Sequence, residues 1–80
     1  MPKLKVLSGK DILKILESFD FEVISTKGSH VKLRRVLKGI KQTLTIPDHK
    51  ELDKGTLRAI FNQASKYIPA EELKEFFYQI

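Results

Sequence analysis

The chain has 80 residues, with 15 Lys plus Arg against 10 Asp plus Glu, two His, no Cys and no Trp, giving a net charge of +5. Folding at this length buries only roughly 60% of the unfolded surface, which argues against a second domain or a large enclosed cavity and for one domain, residues 1–80, that acts at its surface. A disulfide framework, a thiolate nucleophile and a Cys-based zinc site are excluded, and no signal-peptide core or run approaching roughly 18 apolar residues is present, so a soluble, cytoplasmic protein with no membrane partner is expected.

Ser8 is the expected N-cap of a first helix, with Asp11 completing a shortened capping box and Leu7 placed to staple against Ile12. Ile12, Leu13, Ile15, Leu16 and Phe19 recur at helical spacing opposite Lys10, Lys14 and Glu17, so an amphipathic helix ends near Phe19. From Phe21 the period changes to two, with Phe21 and Val23 on one side and Glu22 and Ile24 on the other, until Lys27-Gly28 ends a first strand. The second strand, His30 to Leu37, places Val31, Leu33, Arg35 and Leu37 on one face and His30, Lys32, Arg34 and Val36 on the other. The third, Ile40 to Ile46, sets Ile40, Gln42, Leu44 and Ile46 against Lys41, Thr43 and Thr45. A two-residue Lys38-Gly39 loop would pair Leu37 with Ile40, Leu33 with Leu44, Val31 with Ile46 and His30 with Pro47, whereas a bulged three-residue loop would shift this register.

Pro47 closes the third strand, and Asp53 is the expected N-cap of a second long helix whose apolar stripe is Leu57, Ile60, Phe61, Ala64 and Ile68. Pro69 starts a last short helix, with Glu71 and Glu72 suiting its N-terminal dipole and Leu73, Phe76, Phe77 and Ile80 turned inward. The order α-β-β-β-α-α describes an α+β fold, a three-stranded antiparallel sheet with helices on one face.

Between Val23 and Pro47 there is no acid, but there are six bases: Lys27, Lys32, Arg34, Arg35, Lys38 and Lys41. This region carries +6 while the rest of the chain nets −1, so the charge is local. Lys32, Arg34 and Lys41 share the face opposite the apolar one with Thr43 and Thr45, whose hydroxyls can donate to phosphate or ribose oxygens. Such a face suits a nucleic-acid backbone; the plainer reading is a solvated sheet face whose lysines prevent edge pairing.

His30 begins this face after Gly28-Ser29, a flexible approach where backbone can come close to a ligand. RNA cleavage needs a proton taken from a 2′-OH and one returned to the leaving 5′-oxygen, and imidazole, with an unperturbed pKa of about 6.5, can do either. A surface histidine without a chemical role is the simpler alternative. His49, beside Asp48, Glu51 and Asp53, is a weak metal signal, but it could approach His30 as a second proton-transfer group. At Lys54-Gly55-Thr56, with Arg58 nearby, free helix N–H groups could hold an anion, or the segment could simply start the helix. Phe61, Phe76 and Phe77 read as core, and only Tyr67 and Tyr78 as partly exposed.

Gly28-Ser29-His30, Ile46-Pro47-Asp48-His49 and Gly55-Thr56-Leu57-Arg58-Ala59-Ile60, in this order, resemble the HicA toxins of bacterial and archaeal toxin–antitoxin systems, over roughly Leu7 to Phe77. The resemblance implies a fold similar to double-stranded RNA-binding domains and the activity of a ribosome-independent mRNA endonuclease neutralised by a HicB-type antitoxin. It also implies that His30 is catalytic. His49 matches a position where histidine is frequent, Lys54 stands where many members have proline, and Ile68 stands where a polar cap is common. The expected RNA-binding set is Lys27, Gly28, Ser29, Lys32, Arg34, Lys41, Thr43, Lys54, Thr56 and Arg58, with His49 a secondary acid/base and no metal or cofactor. The competing readings are a non-catalytic RNA-binding module of the same fold and DNA binding through the helix from Lys54 to Ala64.

Overall fold

The computed structural model describes residues 3–79, in the order β1 (Lys3–Leu4), α1 (Gly9–Glu17), β2 (Glu22–Lys27), β3 (His30–Leu37), β4 (Ile40–Pro47), α2 (Lys54–Ala64), α3 (Ala70–Phe77) and β5 (Tyr78–Gln79). The expected inward placement of Ile80 lies outside the described residues. Strands β2, β3 and β4 form an antiparallel sheet with β3 in the centre, and β1 pairs with β5 in a separate two-stranded ribbon that the sequence pattern did not indicate.

α1 starts as its sequence requires. Asp11 N–H donates to Ser8 Oγ (3.1 Å) and Ser8 N–H donates to the Asp11 carboxylate (2.9 Å), closing the capping box. The helix stops at Glu17, two residues earlier than expected, and Asp20 takes a left-handed φ of 71° that turns Phe21 back into the core.

The β3–β4 hairpin has the two-residue register: Leu37 opposite Ile40, Leu33 opposite Leu44, Val31 opposite Ile46 and His30 opposite Pro47. Lys38 and Gly39 both have positive φ (52° and 77°), as the turn that matches strand twist demands. In β2 the alternation is interrupted. Ile24 is an extra residue between Val23, paired with Leu33, and Ser25, paired with Lys32, so the bulge keeps Ser25 and Lys27 on the same face as Glu22.

One face of the sheet is covered. Val31, Leu33, Leu44 and Ile46 form a single buried cluster with Ile12 and Leu16 of α1, Leu57, Ile60 and Ala64 of α2, and Leu73 and Phe77 of α3. This is the α+β arrangement expected, with helices on one face and the other face open. Phe76 departs from expectation: it is 38% exposed and meets Phe19 edge-to-face, while Leu73 and Phe77 supply the inward contacts of α3.

Candidate nucleic-acid interface

Directly opposed residues share a face of an antiparallel sheet, so the ladder fixes what the open face presents. It consists of four rows across the sheet: Lys27, His30 and Pro47; Ser25, Lys32 and Thr45; Glu22, Arg34 and Thr43; then Val36 and Lys41. His30, Lys32, Lys41, Thr43 and Thr45 are exposed and Arg34 is half-buried. Three of the four rows therefore carry a basic residue of the expected set beside a hydroxyl or the histidine, and the remaining row ends in Lys41.

Arg35, although counted with the basic charge of the hairpin, is a structural residue. Its side chain lies on the covered face, where Nε donates to Gln42 Oε1 (2.8 Å), Nη1 to the Phe19 carbonyl (3.0 Å) and Nη2 to the Tyr67 carbonyl (2.8 Å). The guanidinium also lies 4.8 Å from the centre of the Phe21 ring. An arginine at an inward position of the alternation, opposite Gln42, was the signal for this role.

His30 is held by local geometry from two sides. Gly28, with a φ of 60°, allows the tight reversal that leaves Lys27 and His30 directly opposed. On the other side, Asp48 N–H donates to the Ser29 carbonyl at 2.6 Å, tying the Gly-Ser-His turn to the Ile-Pro-Asp-His segment. That segment is in turn fixed to the start of α1: Gly9 N–H donates to the His49 carbonyl (2.8 Å), and Lys10 lies 3.7 Å from the Asp48 carboxylate. A Cβ at Gly9 would stand 2.5 Å from Asp48 Cα and 2.6 Å from the Pro47 oxygen, so only glycine fits. The role of Gly9 left no mark in the local sequence, because the contact is with residues some forty positions away.

His49 is exposed and borders an open pocket with Ser8, Lys10, Asp48 and Lys50, on the α1 side of the loop. No hydrogen bond joins it to His30 among the described residues. Nor do three or more His, Asp or Glu side chains gather among the described residues in a way that could hold a metal ion.

Lys54, Thr56 and Arg58 belong to a different layer. α2 packs through Leu57, Ile60 and Ala64 against the covered side of the sheet, and the N–H of Thr56 donates to Asp53 Oδ1 at 2.7 Å. A carboxylate thus already occupies the helix N-terminus, and this bond holds the Asp53 carboxyl below its usual range.

Residues 9–65, well over half of the chain, match the family model of the HicA toxin of bacterial toxin-antitoxin systems. The matched segment includes all three motifs and the whole three-stranded sheet, and it stops before α3. No curated protein and no solved structure gives a significant match.

Proposed function

This chain belongs to the HicA toxin family of bacterial toxin–antitoxin systems, and from that premise we propose that it is an mRNA endoribonuclease whose catalytic residue is His30. The observation that carries the proposal is the position of His30: exposed, first in a central strand, opposite Lys27, and on the open basic face of the sheet. In the reaction the 2′-oxygen attacks the adjacent phosphorus and the bond to the 5′-oxygen breaks, leaving a cyclic phosphate and a free 5′-hydroxyl. The His30 imidazole serves as general acid–base for the proton that leaves the 2′-hydroxyl or the one that joins the 5′-oxygen. The ammonium of Lys27 stabilises charge that grows on the phosphate oxygens. His49, tied through the same loop, is a candidate for the other proton.

The natural inhibitor is a HicB-type antitoxin that covers this face, and an acidic contact surface would match its charge. The decisive experiment is cleavage of a purified mRNA by the His30→Ala protein. A loss of about 10²- to 10⁴-fold with RNA binding retained is expected. Cleavage at the wild-type rate would overturn the assignment, and binding without cleavage by the wild-type protein would leave an RNA-binding module of the same fold.

A further inference from the structure

We propose that the substrate is a single extended RNA strand lying along β3, with consecutive phosphates in register with His30, Lys32 and Arg34 and the next one at Lys41. This deepens the nuclease reading and rests on it for the placement of the scissile phosphate at His30. Alternate residues of a strand stand about 6.6–6.8 Å apart, which is close to the length of one nucleotide of extended backbone. His30, Lys32 and Arg34 are such alternates, so one phosphate can meet one donor at each step.

The flanking residues set the course of the strand. Thr45 and Thr43 stand beside Lys32 and Arg34 on the β4 side, where their hydroxyls can meet ribose 2′-hydroxyls. On the β2 side Glu22 faces Arg34, so its carboxylate turns phosphates away from that edge. In the following row Val36 takes the β3 position and Lys41 the β4 position, which directs the strand across to β4. Arg34 is half-buried, and its Nε has no hydrogen-bond partner among the described residues. The guanidinium is therefore not committed to the protein through Nε, and its outer nitrogens can meet a phosphate.

The donors form one line rather than two lines separated by a groove, which fits one strand better than a duplex. Attack by the 2′-oxygen in line with the leaving oxygen also requires a backbone free to leave the A-form helix. Lys54 and Arg58 are excluded from the path because α2 packs on the covered side.

The test uses the His30→Ala protein, so that RNA survives, and a short unstructured fluorescent RNA titrated over a range of salt. Lys32→Gln and Arg34→Gln should each weaken binding about fivefold at 0.1 M salt and flatten the log–log salt slope by about 0.7, the single-strand value for one lost phosphate contact. Lys54→Gln and Arg58→Gln should leave the slope unchanged. A single neutral methylphosphonate scanned along the RNA should abolish the effect of Lys32→Gln at one linkage and of Arg34→Gln at its immediate neighbour. The same RNA annealed to its complement should bind more weakly. Unchanged slopes for Lys32→Gln and Arg34→Gln, equal losses for Lys54→Gln and Arg58→Gln, non-adjacent linkages, or tighter duplex binding would each overturn the track. Cleavage retained by His30→Ala would instead overturn the nuclease reading, a result distinguishable from any of these.

Discussion

Two adjacent arginines show how a strand's alternation assigns opposite roles to the same side chain. Arg35 points under the sheet and satisfies two carbonyls, at Phe19 and Tyr67, in the turns that follow α1 and α2. Arg34 points to the open face, and its Nε has no hydrogen-bond partner among the described residues. Replacing Arg35 by Gln removes charge-assisted hydrogen bonds and strands their acceptors, so a loss of about 2–3 kcal/mol in unfolding free energy is expected from urea titration. Replacing Arg34 by Gln removes no side-chain hydrogen bond among the described residues and should change stability by less than about 0.5 kcal/mol. Equal losses in the two variants would contradict the division of roles. Both arginines fall within the acid-free run of the sequence, yet only the inward one is structural; composition alone counts them together, and the alternation tells them apart.

At the scale of elements, the two long helices each carry at their first turn an aspartate whose ionised form is bonded to backbone: Asp11 three residues after the Ser8 cap of α1, and Asp53 as the cap of α2. The Asp11 carboxylate accepts the Ser8 N–H and the Asp53 carboxylate accepts the Thr56 N–H, and both carboxyls lie below their ordinary value of 3.8 in the folded chain. Because the folded pKa is the lower one, each bond contributes stability that is complete above the unfolded pKa and is lost as pH falls through the folded value. Asp53→Asn keeps a cap acceptor but not a titrating charge. Its unfolding free energy should therefore fall less than that of the wild type between about pH 5 and pH 2; parallel acid curves would assign the acid sensitivity elsewhere. These caps and the closing Pro47 were legible in the sequence because each is specified by residues within a few positions of one another, and the hairpin was narrowed to two registers, of which the fold adopts the two-residue one. The bulge at Ile24 was not, since an extra residue in an edge strand resets the alternation without any change of composition. Nor was the pairing of Lys3–Leu4 with Tyr78–Gln79, as two residues are too few to show a period and their partners lie at opposite ends of the chain. His30 was identifiable as the leading residue of the open face, but the bonds that anchor its turn, from Asp48 to Ser29 and from Gly9 to His49, are long-range and became visible only in the fold.

For the whole molecule, the core and the charged face are two sides of one sheet, so whatever supports the core also sets the flatness and register of the face. The core is a single cluster, and α3 contributes two of its fully buried members, Leu73 and Phe77, although α3 lies beyond the segment matched to the family. Phe77 meets the Phe61 ring edge-to-face at 5.4 Å, and its carbonyl accepts the Lys5 N–H at 2.8 Å, so the C-terminal helix also anchors the start of the chain. A domain this small has only about 5–15 kcal/mol of stability in total. Truncating a buried phenylalanine to alanine costs about 3–5 kcal/mol through lost burial and the cavity left behind. Phe77→Ala should accordingly shift the urea midpoint far toward water, and a chain ending at residue 65 should show no cooperative unfolding transition and no RNA binding. A cooperative transition in the shortened chain would show that α3 is an addition to a core complete without it, and the sheet face could then be maintained by the family-matched segment alone.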